Sequence, residues 1–416
     1  MLFWLAGDGV LRTIFLVYMV PSSDPARPIT PTTSDDSQYS TTILLEHYVP
    51  PPTVPTVAPL PRILITGGAG FIGSQLGWRL HEAGHKVTLL DNLSHGNRDN
   101  LVVNGKKFGK FIRGDIRNPQ VASLFRGIDV VLHFAAISAL PTCQEHSALA
   151  YDVNVAGLVN ILEASRANGV KRFVFSSTSA VYEANVRMPC REEDDVMPTL
   201  IYSLSKLHGE HVCASFRKTY GMDIVVLRFF NVYGPHQDFR RLSPPYTSYV
   251  VRELLNGRRP VLHSTGEQKR DYVYISDLAR LVELVMTHPD ANGEIFNVAS
   301  NVSVSVNDIL RIVARAIGGD AVHIVPKYAP SEDFWKKYTR LYSGPRSMRK
   351  EVLIKEVEKY TLGDYVKAKR ILGWEPRVSM EQGLGEMVAY VRAFKMKAQS
   401  GEYSNAWAAE EKEESK

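Results

Sequence analysis

The stretch that most limits what this chain can become is Arg62-Ile-Leu-Ile-Thr-Gly-Gly-Ala-Gly-Phe-Ile-Gly-Ser. Ile63 to Ile65 read as a short buried strand, Gly67, Gly70 and Gly73 follow at three-residue intervals, and the segment to about Gly84 carries a helical pattern. A strand that ends in a glycine turn and opens a helix makes a particular cradle. One glycine permits the tight turn, a second lets backbone approach a pyrophosphate, and a third lets helix and strand pack closely. The helix N-terminus adds N–H groups without intrahelical partners and the positive end of its dipole, which suits phosphate. The surroundings favour a dinucleotide: a second apolar strand, Lys86 to Leu90, ends at Asp91, 24 residues after Gly67. A carboxylate at that place accepts from ribose hydroxyls and repels a 2′-phosphate, so NAD is expected over NADP. The alternative is an exposed turn aspartate.

Further apolar runs at Phe111–Arg113, Val130–Phe134, Phe173–Ser176 and Ile224–Leu227 alternate with helical stretches. That rhythm predicts a parallel, doubly wound α/β sheet with helices on both faces and ligands beyond the carboxyl ends of the strands. Two of those ends carry chemistry. The run Phe175-Ser-Ser-Thr-Ser-Ala-Val-Tyr places the hydroxyl of Thr178 at a strand end. Tyr202-Ser-Leu-Ser-Lys206 opens an amphipathic helix to about Tyr220, and the i, i+4 spacing puts Tyr202 and Lys206 on one face. A free phenol titrates near 10 and is a poor base at neutral pH. A neighbouring ammonium, together with a positive nicotinamide, would stabilise the phenolate and lower that value, with Thr178 bridging substrate and phenol. Taken alone, the Tyr/Lys spacing is an ordinary helix surface; it gains meaning from lying downstream of the glycine cradle.

Composition narrows the class further. Lys and Arg number 49 against 44 Asp and Glu, a net charge of +5 spread along the chain, and no basic cluster offers a nucleic-acid footprint. The three cysteines, Cys143, Cys190 and Cys213, are sparse and lack metal-ligand spacing, so neither a disulfide scaffold nor a metal centre is expected, and a reducing, cytoplasmic compartment is. Residues 1–20 are strongly apolar but contain Asp8 and Arg12, each costing roughly 2.5–3.5 kcal/mol at a bilayer centre. They read as a leader of open role, either a membrane anchor or signal, or a segment the folded enzyme does not need. Residues 21–61 hold 10 of the 23 prolines with many Ser and Thr and read as an extended linker. Residues 397–416 read as a charged, frayed tail, which leaves a working protein of 62–396.

Over that span the chain resembles the extended short-chain dehydrogenase/reductases, specifically the NAD-dependent nucleotide-sugar epimerase/dehydratase family. The matching motifs stand in the family's order: TGGAGFIG (66–73), DNL (91–93), GDIRN (114–118), HFAA (133–136), SST with VY (176–182), YSLSK (202–206), RFFNVYGP (228–235), RDYVYISDLA (270–279) and LGWEP (372–376). The resemblance implies a Rossmann-type sheet with a smaller α/β substrate-binding lobe. The nucleotide-binding part would be 62–232 with 264–276, and the lobe 233–263 with 277–396. It implies NAD along Gly67, Gly70, Phe71, Ile72 and Gly73, with Asp91 and Asn92 at the ribose and Asp115 and Ile116 at the adenine. Phe134, Ala135 and Ala136 would wall the cofactor, Asn154 would be a buried structural and cofactor-side residue, and Thr178, Tyr202 and Lys206 the catalytic set. Asn231 and Arg270 would meet the sugar nucleotide; an arginine fork suits phosphate oxygens, and the alternative for Arg270 is a salt bridge to Asp271.

Family members share the oxidation of a sugar hydroxyl and differ in the fate of the keto sugar it produces. Dehydratases and UDP-xylose-forming decarboxylases carry an acid beside the threonine, where this chain has Ser179 and Ala180. The expectation is therefore epimerisation at C4 of a UDP-hexose, closest to the UDP-glucose 4-epimerases, with a dehydratase or UDP-glucuronate decarboxylase as the alternative and a non-catalytic dinucleotide-binding scaffold or sensor behind both. Departures from the family pattern include Ser138 in place of a lysine and Glu183 in place of the usual glycine after Val-Tyr. A second phosphate-binding arginine is not evident; Arg346 and Arg349, in the Lys/Arg/Tyr-rich run 331–360, are candidates, unless that run is a solvated lid helix. The helices Val155–Ala167 and Lys206–Tyr220 resemble a family dimer interface, so a homodimer is expected, with membrane association only through residues 1–20.

Overall fold

A computed structural model describes residues 59–103, 105–241 and 244–399. The expected leader, all but the last three residues of the linker, and the tail beyond 399 lie outside the described residues.

Seven parallel strands form the main sheet, in the spatial order Ile295–Val298, Ile224–Phe229, Arg172–Thr178, Val130–His133, Arg62–Thr66, Lys86–Asp91 and Lys110–Arg113. The chain starts in the middle, winds outward through Lys86–Asp91 and Lys110–Arg113, then returns to the other side of the first strand. Crevices open where that order reverses, outside the carboxyl ends of the strands. Alternation of side chains decides the layers. Ile63, Ile65, Leu89 and Leu132 face one core, packed with Leu76 and Leu80 of the helix Phe71–Glu82 and with Leu278, Leu281 and Val285 of Ile275–Thr287. Leu64, Leu90, Val131, Phe173 and Phe175 face a second core with Leu158 and Ile161 of Gly157–Ala167 and Phe216 of Ile201–Tyr220. Strands buried on both faces need such near-continuous apolar runs, and each buried Leu or Ile contributes about 1.5–3 kcal/mol.

A smaller lobe continues the first core. A three-stranded sheet joins Asn231–Tyr233, Lys269–Tyr274 and Ser303–Ser305, flanked by the helices Tyr246–Leu255, Val306–Ile317 and Met380–Gln399. Val306–Ile317 starts at a capping box between Ser305 and Asp308. Three segments cross the expected division: Ile295–Val298 lies in the main sheet, while Lys269–Tyr274 and most of Asn231–Tyr233 lie in the smaller one. The helix expected from Val155 begins at Gly157, after a π turn over Asp152–Ala156. Helix Met380–Gln399 passes the boundary drawn at 396.

The run 331–360 is not a solvated lid helix. It folds around its own core of Trp335, Leu341 and Leu353, with Phe334, Tyr338 and Val357 against it, and the Trp335 indole donates to the Leu353 carbonyl at 3.0 Å. The three cysteines are buried free thiols. Among the described residues, no helix is long and apolar enough to cross a membrane.

Candidate active site

The carboxyl ends of the strands line a cleft of about 1230 Å³ that continues under the smaller lobe. Its first wall is backbone. Gly67 has φ +70°, and a Cβ there would stand 2.9 Å from the Ala135 nitrogen. A Cβ on Gly73 would reach 2.2 Å from the Gly67 carbonyl oxygen, so only glycine allows the loop and helix to close on each other. Helix Phe71–Glu82 starts with no side-chain cap, so its first N–H groups remain available to an anion. Gly67, Gly70, Phe71, Ile72 and Gly73 all line the cleft.

Asp91 is buried at the end of the second strand. Its carboxylate accepts from the Ala69 N–H at 3.0 Å and the Leu93 N–H at 2.7 Å. A carboxylate has about four acceptor sites, so two remain for ribose hydroxyls. Asn92 donates to Asp115 at 3.0 Å, and Arg117 grips Asp115 through both Nε and Nη2, holding that carboxyl far below the usual carboxylate range. Ile116, Phe134, Ala135 and Ala136 complete this half of the wall, with Arg117, which no sequence signal singles out although it sits inside the GDIRN motif. A tight glycine turn, a capless helix start and a half-satisfied carboxylate together fit the pyrophosphate and ribose of a dinucleotide.

Asn154 holds the buried, structural half of its expected place but not the cofactor-side half. It lies behind the wall, in the π turn, and does not line the cleft. Its side-chain oxygen accepts from the Ile137 N–H at 2.8 Å, and its nitrogen donates to the Ile137 carbonyl and to Ser205 Oγ, each at 3.1 Å. These bonds spend its capacity on tying the 134–138 segment to helix Ile201–Tyr220.

Thr178 ends the strand Arg172–Thr178, and Tyr202 and Lys206 stand one turn apart on helix Ile201–Tyr220; all three line the cleft. Lys206 is 3% exposed, and its ammonium donates to the Ser176 carbonyl at 2.5 Å and lies 4.8 Å over the Phe175 ring. Burial pulls its pKa down to about 8. The Tyr202 phenol is pushed up to about 12 by burial, against a hydrogen bond with Thr178 that lowers it. In the protein alone the Lys206 ammonium is directed at Ser176 and Phe175 and desolvation outweighs the Thr178 bond at Tyr202, so the expected depression needs the positive nicotinamide as well as the ammonium. Ser179 and Ala180 line the cleft beside Thr178 and offer no titrating acid.

Under the smaller lobe, Arg270 lines the cleft, donating to the carbonyls of Val357 at 2.9 Å and Glu356 at 3.2 Å. The alternative salt bridge to Asp271 is not formed. Asp271 turns away and accepts from Ser300, Asn301 and Gly363. Asn231 lines the cleft and donates to the Asp271 carbonyl at 2.8 Å. Arg346 and Arg349 are corrected: both are exposed and neither lines the cleft. The small core of 331–360 turns them outward and presents Phe334, Trp335, Lys337 and Tyr338 to the cleft instead. Arg241 was missed. It lines the cleft, its Nε is buried without a hydrogen-bond partner among the described residues, and desolvation lowers its pKa. Gln268 is similar, lining the cleft with a buried Oε1 that has no hydrogen-bond partner among the described residues. No local motif marks either residue; both are brought to the cleft by tertiary packing.

Residues 63–299 match the model of the NAD-dependent epimerase/dehydratase family. Among solved structures, the UDP-glucose 4-epimerase of Thermotoga maritima with UDP-glucose is 31% identical, with a TM-score of 0.69, over 80% of this chain and 99% of that one. A UDP-glucose 4-epimerase of Mycolicibacterium smegmatis is 31% identical over 80% of this chain and 98% of its own length. A dTDP-glucose 4,6-dehydratase of Streptomyces niveus is 30% identical over 80% and 93%.

Proposed function

The chain belongs to the NAD-dependent epimerase/dehydratase family, and we propose that it is the enzyme that inverts C4 of a UDP-hexose through a transient 4-keto sugar. One observation carries the choice within the family: Thr178, Tyr202 and Lys206 meet in the cleft, while Ser179 and Ala180 beside them supply no acid for elimination. The names of the relatives agree with it; the dehydratase among them keeps dehydration as the alternative.

The residues fit NAD. Gly67, Gly70, Phe71, Ile72 and Gly73 would hold the pyrophosphate, Asp91 and Asn92 the ribose, Asp115 and Ile116 the adenine side, and Phe134, Ala135 and Ala136 the inner wall. When bound, NAD supplies a hydride acceptor that later returns what it took, and a positive charge beside the phenol. Tyr202 takes the C4 hydroxyl proton, through Thr178 or directly, and gives it back after the keto sugar has turned its other face. Lys206 stabilises the phenolate while it holds no proton, since an ammonium nearby favours the charged form. Arg270 and Asn231 would hold the sugar nucleotide. Arg241 takes the second phosphate role expected of Arg346 and Arg349, as a guanidinium unpaired at Nε in a desolvated wall matches an anion. The division into a nucleotide-binding part and a substrate lobe, a homodimer through the 157–167 and 201–220 helices, and a cytoplasmic site of action complete the reading.

The test incubates the protein with UDP-, dTDP- and GDP-hexoses and UDP-hexuronates and separates products by chromatography with mass detection. A new product of unchanged mass, reduced about 10²–10⁴-fold by Tyr202→Phe, is the expected result. A product lighter by water or carbon dioxide moves the chain to the alternative, and no product from any donor removes the catalytic reading.

A further inference from the structure

Glu183 stands where the family pattern has glycine, and its carboxylate has an unusual set of partners. Oε1 accepts from the backbone N–H of Thr199, from Thr199 Oγ1 at 2.7 Å and from the backbone N–H of Leu200 at 3.1 Å. Oε2 accepts from Ser203 Oγ at 2.9 Å. Leu200 is the N-cap residue of helix Ile201–Tyr220, and its own side chain caps nothing. The start of this helix is therefore capped from elsewhere, by Glu183 and by Gln144, which accepts from the Ile201 N–H at 3.1 Å. Unpaired N–H groups at a helix start need such partners, and a negative one is favoured there by the dipole.

The other end of Glu183 belongs to the turn that carries Thr178. Residues Ser179–Tyr182 form one helical turn capped by Thr178 Oγ1, which accepts from the Ala180 N–H at 3.1 Å, and Glu183 closes it by donating its N–H to the Ala180 carbonyl at 3.1 Å. That turn is fixed from below. The Tyr182 hydroxyl donates to Asn297 at 2.9 Å and accepts from Arg228 at 2.7 Å, and Arg228 is paired with buried Glu210 at 2.8 Å. One side chain thus bridges an anchored turn holding Thr178 and the first turn of the helix holding Tyr202 and Lys206.

We propose that Glu183 is a positioning residue that sets the separation of Thr178 and Tyr202 by tying the 179–182 turn to the N-terminus of helix Ile201–Tyr220. This rests on the reading that Thr178 and Tyr202 perform the proton transfer. Its four hydrogen bonds leave the carboxylate committed to structure, so it is not the missing elimination acid despite lining the cleft. A glycine at this place cannot make the tie, and here the strand-end turn and the helix start are coupled by a side chain.

Glu183→Ala and Glu183→Gln test it, with melting temperatures checking that both variants fold. Glutamine keeps an oxygen for Thr199 and Leu200 and an amide that donates to Ser203. The expected result is a fall in kcat of about 10–100-fold for alanine, the scale of a misplaced proton-transfer pair, with KM for the sugar nucleotide within about twofold. Glutamine should restore kcat to within about threefold of the parent, since a neutral acceptor keeps most of such a bond. An unchanged kcat in the alanine variant overturns the proposal. So does a rise in KM alone, which would make Glu183 a substrate contact, or glutamine as damaging as alanine, which would mean the charge or proton acts. If the parent protein turns over no sugar, the functional reading fails separately. Amide hydrogen exchange at Thr199 and Leu200 then still decides the tie: slow in parent and glutamine proteins and fast with alanine if it exists, equal in all three if it does not.

Discussion

The two ends of the cleft are built by different means. At the glycine loop the wall is backbone: Gly67 and Gly73 touch neighbouring main chain, with a Cβ on Gly73 only 2.2 Å from a carbonyl oxygen. Under the smaller lobe the wall is side chains, among them Phe334, Trp335, Lys337 and Tyr338 from a segment with its own core, together with Arg241, Arg270 and Gln268. A backbone wall admits one residue type at each contact and leaves little to vary. A side-chain wall can change its occupant residue by residue while the fold stays fixed. On the proposed reading, cofactor and sugar selectivity are therefore separable properties.

Substitution at each end should make that separation visible. The largest effect belongs to Gly73→Ala. The added methyl must displace the loop from the Gly67 carbonyl, and we expect NAD content in the purified protein to fall by at least about tenfold, with a destabilisation of several kcal/mol in thermal unfolding. Normal NAD content would mean that the loop yields and the backbone wall is softer than described. Arg241→Gln acts at the opposite end. A lost guanidinium–phosphate contact is a charged hydrogen bond of about 1.5–3 kcal/mol, so KM for the sugar nucleotide should rise about 10–100-fold while NAD content stays at the parent level. A change in NAD content with unchanged KM would merge the two ends into one site.

The smallest effect concerns pH and the junction between the ends. Lys206 is drawn from 10.5 to about 8 by burial, so its cation is lost as pH rises through 8, and kcat should decline by a few-fold there. Stability has the opposite sign. The unfolded chain keeps the Lys206 proton up to its ordinary 10.5 whereas the folded one releases it near 8, so between these values the unfolded state binds more protons. This group's contribution therefore rises with pH across that window. Lys206→Met should abolish the stability increment in pH-dependent chemical denaturation; an unchanged increment would assign it to another group.

The same contrast separates the features legible in sequence from the rest. The glycine spacing, Asp91 and the strand rhythm were readable because each imposes a local requirement: a turn only glycine can adopt, an acid at a strand end, apolar runs buried on both faces. The pair Tyr202 and Lys206 was readable because i, i+4 geometry is fixed by the helix. The tie that Asn154 makes is not legible, because its partners, Ile137 and Ser205, are 17 and 51 residues away and leave no local trace. Arg346 and Arg349 looked available because the packing of Trp335 against Leu353, which turns that segment, is a tertiary fact. Arg241 and Gln268 carry no motif for the same reason. The phenol's shift in the protein alone is not legible, because it depends on how Tyr202 is buried and on where the Lys206 ammonium points, and neither is written in the spacing.

The strand Ile295–Val298 has a consequence for how the protein is made. It pairs with Ile224–Phe229, Ile295 opposite Val226 and Val298 opposite Phe229, yet it is synthesised about seventy residues later, after the smaller lobe's first two strands. Until residue 298 has left the ribosome, the nucleotide-binding sheet ends in the bare edge of Ile224–Phe229, an apolar row that invites wrong pairing. The Tyr182–Asn297 bond beneath the Thr178 turn is equally out of reach of the shorter chain. A nascent chain halted before Ile295 would hold the glycine loop, Thr178, Tyr202 and Lys206 without the strand that closes the sheet. The groups proposed to react are thus translated early and secured late.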